Sequence, residues 1–358
     1  MSTRHVSVPL ECVEDGLLDL TGDLSTFAPE LASKLVLSAD GESLEKQRHP
    51  ITLQMLLTHT SGSAYDFMNP LVARWQAAHS GPPPEPGTRR PVEEFFDYPH
   101  VFQPGAGWEY GPGLDWAGRI VERATHRTLG EHMHARIFAP LGIADAAFYH
   151  APRSPPAPRE PHSQGPRCAG ARGHGRHGHN VLQFIHGGGF WRRRDVHFGC
   201  GLSQGSARAT TKRRDPAETQ HCRRHVRGPP RCGGGRSARS HAAALAGPIG
   251  AAFRVGIELG ARMGHGLGGM LTLEDTPGWY GAGTLTWGGG QTVVWFIDRS
   301  NGLCGVGSVQ SNIPINIEIV SALKDTIRHD IYRKHAACQR GRKSRARLDL
   351  ISTITCAR

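Results

Sequence analysis

Ile51-Thr52-Leu53-Gln54-Met55-Leu56-Leu57-Thr58-His59-Thr60-Ser61-Gly62 is the stretch whose reading decides the fold. Thr52 stands where a side-chain oxygen caps a helix, Leu53 to Leu57 form a short apolar run, and Gly62 can close it. Upstream, Leu10, Val13, Leu17, Leu18 and Leu20 fall on a rough helical face that Gly16 loosens, which predicts the end of a helix. Downstream, the Pro- and Gly-rich residues 79–91 predict a loop, and Pro91 opens a helix through Phe96. Gly113 to Ala124 is amphipathic, with Leu114, Ala117, Ile120 and Val121 inward. A further helix begins at Thr128 and ends at Pro140-Leu141-Gly142.

Regular patterning returns only after residue 263. Gly283 to Trp287 alternates, Thr292 to Ile297 is a β-rich apolar run, and Asp298-Arg299-Ser300-Asn301-Gly302 turns the chain into Leu303 to Val309. These predict an antiparallel meander. Ile319, Leu323 and Ile327, four apart, predict a closing helix over 315–332, followed by an unpacked basic tail, 333–358. Four regions result: a mostly helical part over 1–150, an anomalous segment over 151–263, strands and a helix over 264–332, and the tail.

The anomaly is electrostatic. The 358 residues carry a net charge of +11, yet residues 151–250 alone hold 17 Arg and one Lys against Glu160, Asp195, Asp215 and Glu218. That hundred is +14 and the remainder is −3. Its runs, such as His174-Gly175-Arg176-His177-Gly178-His179 and Arg192-Arg193-Arg194, show little periodicity and read as a mis-translated or mis-spliced segment. A disordered basic insert is the second reading. A nucleic-acid site would interleave aromatics with the cations, and only Phe184, Phe190, Trp191 and Phe198 are present. The His cluster lacks partners at ligand spacing, so no metal is expected. The eight cysteines show no short paired spacing, against a zinc knuckle or disulfide framework. No run approaches the roughly 18 residues of a membrane span. Met1-Ser2-Thr3-Arg4-His5 lacks an apolar signal core, so the expected location is cytoplasmic.

Leu56 to Gly62, Pro104-Gly105-Ala106-Gly107-Trp108-Glu109-Tyr110-Gly111-Pro112, Pro140-Leu141-Gly142-Ile143 and Trp287-Gly288-Gly289 occur in the order of a known family. The chain resembles the serine β-lactamase-related family, in particular its fungal esterase and transesterase branch. The resemblance implies an α+β, β-lactamase/transpeptidase-like fold: an antiparallel sheet flanked by helices, with a helical subdomain and the active site in the cleft between. It implies serine-type acyl transfer on a small ester, thioester or acyl-polyketide in secondary metabolism, with an acyl-carrier or thioester donor and no cofactor. Tyr110 matches the family's loop tyrosine, with Gly111 and Pro112 in place of the more general Ser-Asn. Trp287, Gly288 and Gly289 match the third motif, and Gly290 follows to offer an oxyanion N–H. Thr58 to Gly62 is read as structural, tying a helix end beneath the cleft.

The family's nucleophile is a Ser-x-x-Lys pair on a helix, where residues three apart share a face. Counting back from Leu10 to Leu20 puts that Ser just before Met1 and the Lys near Ser2, where His5 but no Lys follows. Two strands that precede this helix in the family are expected to be missing as well. Ser43-Leu44-Glu45-Lys46 and Ser321-Ala322-Leu323-Lys324 are the literal matches elsewhere. A catalytically inactive relative is therefore the alternative. A third reading is an α/β-hydrolase: Phe184 to Trp191, around His186-Gly187-Gly188-Gly189, resembles its oxyanion loop, and Gly201-Leu202-Ser203-Gln204-Gly205 its elbow. His186 and Ser203 are too close for the intervening βαβ unit, which needs about 30 residues.

Overall fold

The structure is a computed structural model that describes residues 2–79, 81, 90–144, 146, 254, 257, 261–287, 293–308, 318, 322, 325–326 and 328–340. The basic segment 151–250, with His186 and Ser203, lies outside the described residues, as do Gly288, Gly289, Gly290 and Ser321.

The first half is helical. Helix α1 (Ser2–Glu14) packs against α6 (Gly113–Thr125), and Gly16 leaves α1 at φ +73°. Short α2 (Pro29–Ala32) precedes a hairpin of β1 (Val36–Leu37) and β2 (Leu44–Glu45). Helix α3 (Leu53–Leu57) is capped by Thr52, whose Oγ1 accepts the Met55 N–H at 3.2 Å. It ends earlier than the sequence predicts: His59, not Gly62, makes the left-handed exit, at φ +57°. Helices α4 (Pro70–His79) and α5 (Val92–Phe95) lead to α6, which buries Asp115, Trp116, Ala117, Ile120 and Val121, while Leu114 is only partly covered. Thr128 and Glu131 form a capping box on α7 (Leu129–Met133), which runs into a π-helical turn, His134–Phe138. Leu53, Leu56 and Leu57 of α3 meet Trp116, Ile120 and Val121 of α6 in one apolar core.

The second half is a five-stranded antiparallel meander, β3 (Met263–Gly266), β4 (Gly269–Thr272), β5 (Leu285–Trp287), β6 (Val293–Asp298) and β7 (Leu303–Ser308), hydrogen-bonded in that order. The last three strands and their order match the sequence reading. The β3–β4 hairpin does not appear in it, because Gly264, Gly266, Gly268 and Gly269 remove the β-branched signal. Alternate residues of β6 face opposite sides: Trp295 joins Met270, Leu271, Leu285 and Trp287, whereas Phe296 joins Trp279, Tyr280 and Tyr332. Tyr332 belongs to a helix described over 328–340, eight residues further than the closing helix predicted to end there. Asp330 pairs with Arg333 at 2.8 Å and Lys334 at 2.6 Å, and such i,i+3 and i,i+4 pairs support a solvated helix.

Two joints fix the halves together. The tip of the β3–β4 hairpin puts Leu267 into the helical core, and the Gly268 N–H donates to the Leu57 carbonyl at 3.0 Å. Met68 and Tyr110 pack against both the helical core and the Trp287 side of the sheet.

Candidate active site

The exit of α3 and the loop carrying Tyr110 are locked by backbone contacts that only glycine permits. A Cβ on Gly111 would lie 2.2 Å from the Ser63 carbonyl oxygen, and one on Gly113 would lie 2.2 Å from that of Leu56. The Glu109 N–H donates to the His59 carbonyl at 3.0 Å, and the Gly111 N–H donates to His59 Nδ1 at 3.4 Å. Since Nδ1 accepts, neutral His59 carries its proton on Nε2. His59 is thus a buried clamp on either side of Tyr110, in keeping with the structural reading of Thr58 to Gly62.

Four rings close a circuit at this point. Tyr110 lies 4.7 Å from His59, His59 5.1 Å from His265, His265 5.7 Å from Trp287, and Trp287 5.3 Å from Tyr110, centroid to centroid. Trp108 adds a fifth ring, 6.2 Å from His59 and 5.8 Å from His265. The structure therefore brings together Tyr110 and Trp287, two residues 177 positions apart that the motifs single out separately. His265 is the member that motif reading missed. It sits in a four-residue strand between two glycines, a local pattern that carries no catalytic signature.

Behind Tyr110 lies a buried acid. Tyr65 lies tilted against Tyr110, ring centroids 5.6 Å apart, and its hydroxyl donates to Asp115 Oδ2 at 2.8 Å. Burial pushes the Asp115 carboxyl up from its ordinary value of 3.8 to about 7, the Tyr65 hydrogen bond opposing it. Burial, and then the Asp115 charge, pushes the Tyr110 phenol well above its ordinary range. In this environment the Tyr110 phenol stays protonated; a cation beside it would be needed to draw the proton off. Phe67, stacked on Tyr65 at 5.1 Å, is 70% exposed.

Other Ser-containing pairs are placed differently. Ser43 and Lys46 flank the exposed strand β2, where an extended backbone turns residues three apart to opposite sides. Ser63 Oγ and His100 Nδ1 are 3.1 Å apart, but both residues are buried. Burial, and then the Lys34 cation, pushes His100 down to about 3, so the imidazole is neutral and serves packing. Among the described residues no group of three His, Cys, Asp or Glu is gathered as a metal ion requires, and no helix is long and apolar enough to cross a membrane.

The fold and the order of these motifs agree with a family-wide comparison: the Beta-lactamase family pattern matches residues 6–319. The chain belongs to the β-lactamase family. Within it, the chain is similar to a lovastatin esterase of Penicillium rubens, 48% identical over 346 residues that cover 92% of this chain and 82% of the relative. It is also similar to a monacolin J acid methylbutanoyltransferase of Aspergillus terreus, 31% identical over 354 residues, 91% of this chain and 78% of the relative. Among solved structures, unliganded simvastatin synthase from Aspergillus terreus superposes with a TM-score of 0.68 at 28% identity, covering 92% of this chain and 81% of that one. The β-lactamase/transpeptidase-like fold, an antiparallel sheet with helices, follows for this chain.

Proposed function

We propose that this β-lactamase family chain carries out serine-type acyl transfer in polyketide secondary metabolism, as an esterase or transesterase acting on a small ester, thioester or acyl-polyketide. The observation that carries the reading is the packing of Tyr110 against Trp287 at the junction of the helical half and strand β5. Tyr110 is the proton-transfer group, and the end of β5, from Trp287 into Gly288, Gly289 and Gly290, is the oxyanion side. An acyl carrier or other thioester supplies the acyl group in the transferase direction. Chemically, a hydroxyl attacks the acyl carbonyl and the oxyanion is held by backbone N–H groups; as the bond to the leaving group breaks, Tyr110 gives its proton to the leaving group and takes the proton of the attacking hydroxyl, ending protonated as it began.

Hydrolysis of p-nitrophenyl butyrate tests this. Tyr110→Phe should lower kcat by about 10² to 10⁴, the range for losing a positioned acid–base group, with KM moving less. A fluorophosphonate probe should label one serine, which peptide mapping then identifies. Equal turnover by the parent and Tyr110→Phe would sink the assignment. A second reading, a relative that binds the acyl ligand without turning it over, is favoured by the spacing that the resemblance implies, which puts the lysine near Ser2, where His5 but no Lys follows. It predicts ligand binding with no labelled serine.

A further inference from the structure

Asp115 takes part in none of the steps above, yet it stands in the first turn of α6, on the same stretch of chain as Tyr110, with 3% of its surface exposed. Burying a carboxyl there costs free energy that an apolar side chain would not. Phenols surround it. Tyr65, itself buried, donates to Asp115 Oδ2 at 2.8 Å, and the Tyr65 ring lies between Asp115's hydrogen bond and three other rings: Phe67 at 5.1 Å, Tyr110 at 5.6 Å and Phe96 at 5.9 Å. The Tyr65 hydroxyl finds an acceptor at Oδ2 whether the other carboxyl oxygen is protonated or not, so the acid can change its charge without releasing Tyr65.

The charged residues of the elements packed against α6 meet other partners. Glu93 of α5 pairs with Arg119 and Arg123 at 2.9 and 3.0 Å, while Glu94 is exposed. Glu11 of α1 faces Arg136 at 3.7 Å, Glu131 of α7 caps its own helix, and α3 carries no charged residue. Burial holds His132 of α7 toward its neutral form. Asp66 and Lys34 lie by Tyr98, Lys34 donating to the Phe96 and Tyr98 carbonyls at 2.7 and 3.2 Å. Beside Tyr110 itself, His59 Nδ1 accepts from Gly111, and the Glu109 carboxyl accepts from the side chain of Asn69. After burial, it is the Asp115 charge that raises the Tyr110 phenol.

We propose that Asp115, held by Tyr65, is a positioning residue that sets how readily Tyr110 parts with its proton: neutral, it lets the phenol give the proton up during acyl transfer, and ionised, it holds the proton back. This rests on the acyl-transfer reading of the site and adds to it a control by pH. A negative charge behind Tyr110 opposes the phenolate character that develops as the leaving group takes the proton. Since burial raises the Asp115 carboxyl to about 7, this contribution to turnover is full in acid and is lost as pH rises through that value.

Two measurements on the full chain separate the electrostatic contact from the chemistry. In the first, trifluorotyrosine is incorporated at position 110, where its phenol ionises several pH units lower than that of tyrosine and is followed by fluorine NMR. Its midpoint should fall by about one pH unit on Asp115→Asn, the effect of removing one nearby charge; an unchanged midpoint would overturn the proposal whatever the chain turns over. In the second, hydrolysis of ethyl butyrate, whose alkoxide leaves only with a proton, is followed between a pH of about 5.5 and about 8.5, on either side of the raised carboxyl. Relative to Asp115→Asn, the kcat of the parent should fall about tenfold across that range, with KM moving less. In Tyr65→Phe, which loses the bond that steadies the carboxylate, the fall should move about one pH unit higher. Parallel profiles for the parent and Asp115→Asn would overturn the role of Asp115 while leaving the acyl-transfer reading standing. A parent that neither hydrolyses the ester nor takes a fluorophosphonate label would overturn that reading, and this inference with it, even if the fluorine midpoint moved.

Discussion

Replacing Asp115 with Asn removes an ionisable group from the wall behind Tyr110 while keeping an acceptor for the Tyr65 hydroxyl. In the native protein the carboxyl titrates at about 7, against an ordinary value of 3.8. The native state therefore holds a proton that the unfolded chain has released, over the whole interval between those values. Stability from this group is fully present below pH 3.8, declines as pH rises, and levels off above about 7. Each pH unit in that interval costs about 1.4 kcal/mol. Between pH 5 and pH 8 the decline spans about two pH units, because the native group itself ionises near the top of the range, and amounts to about 2.5 kcal/mol. The first-turn position of Asp115 on α6 favours its charge by no more than about 1 kcal/mol, so burial wins. Asn carries no such dependence. Urea unfolding of both proteins at pH 5 and pH 8 gives four stabilities, and other titrating groups such as Glu11, also raised to about 7 by burial, cancel in the double difference. Asp115→Asn should gain about 2.5 kcal/mol on the parent in going from pH 5 to pH 8. Parallel pH profiles, or a parent that gains instead, would refute the assignment of a neutral Asp115 beneath Tyr110.

Gly111→Ala places a methyl group 2.2 Å from the Ser63 carbonyl oxygen, so the urea midpoint should fall by the equivalent of about 3 kcal/mol; an unchanged midpoint would show that the loop has room. His59→Ala strips the acceptor from the Gly111 N–H and should destabilise by about 1–3 kcal/mol, read in the same assay. Tyr332→Phe removes the hydroxyl that donates to Asp298 Oδ2 at 2.6 Å. Asp298 also accepts from Gly281 and Asn301 N–H groups, so the loss should be moderate, about 1–2 kcal/mol, with the melting temperature as readout.

Much of the local structure was legible because it is made by neighbours in the chain. Thr52 caps α3 through a residue three positions on, Thr128 does the same for α7, and the alternation and turns of residues 283–309 yield the last three strands. The end of α3 was misplaced because His59 adopts a backbone conformation that favours glycine, held there by Glu109 and Gly111 across fifty residues. Helix continued past Tyr332 because its charges pair along the helix, a feature the excess of basic residues conceals.

By itself the sequence determined the family, through motifs whose order survives without any coordinates, and it singled out Tyr110 and Trp287 as candidate residues. Only the tertiary structure decided that His265 shares their wall, since a glycine-flanked histidine on a short strand has no local signal and meets His59 only when the hairpin tip docks on α3. It alone decided the protonation of Asp115 as well. A carboxyl's charge depends on how much water reaches it, and that is settled by packing between elements far apart in the chain, not by the residues on either side.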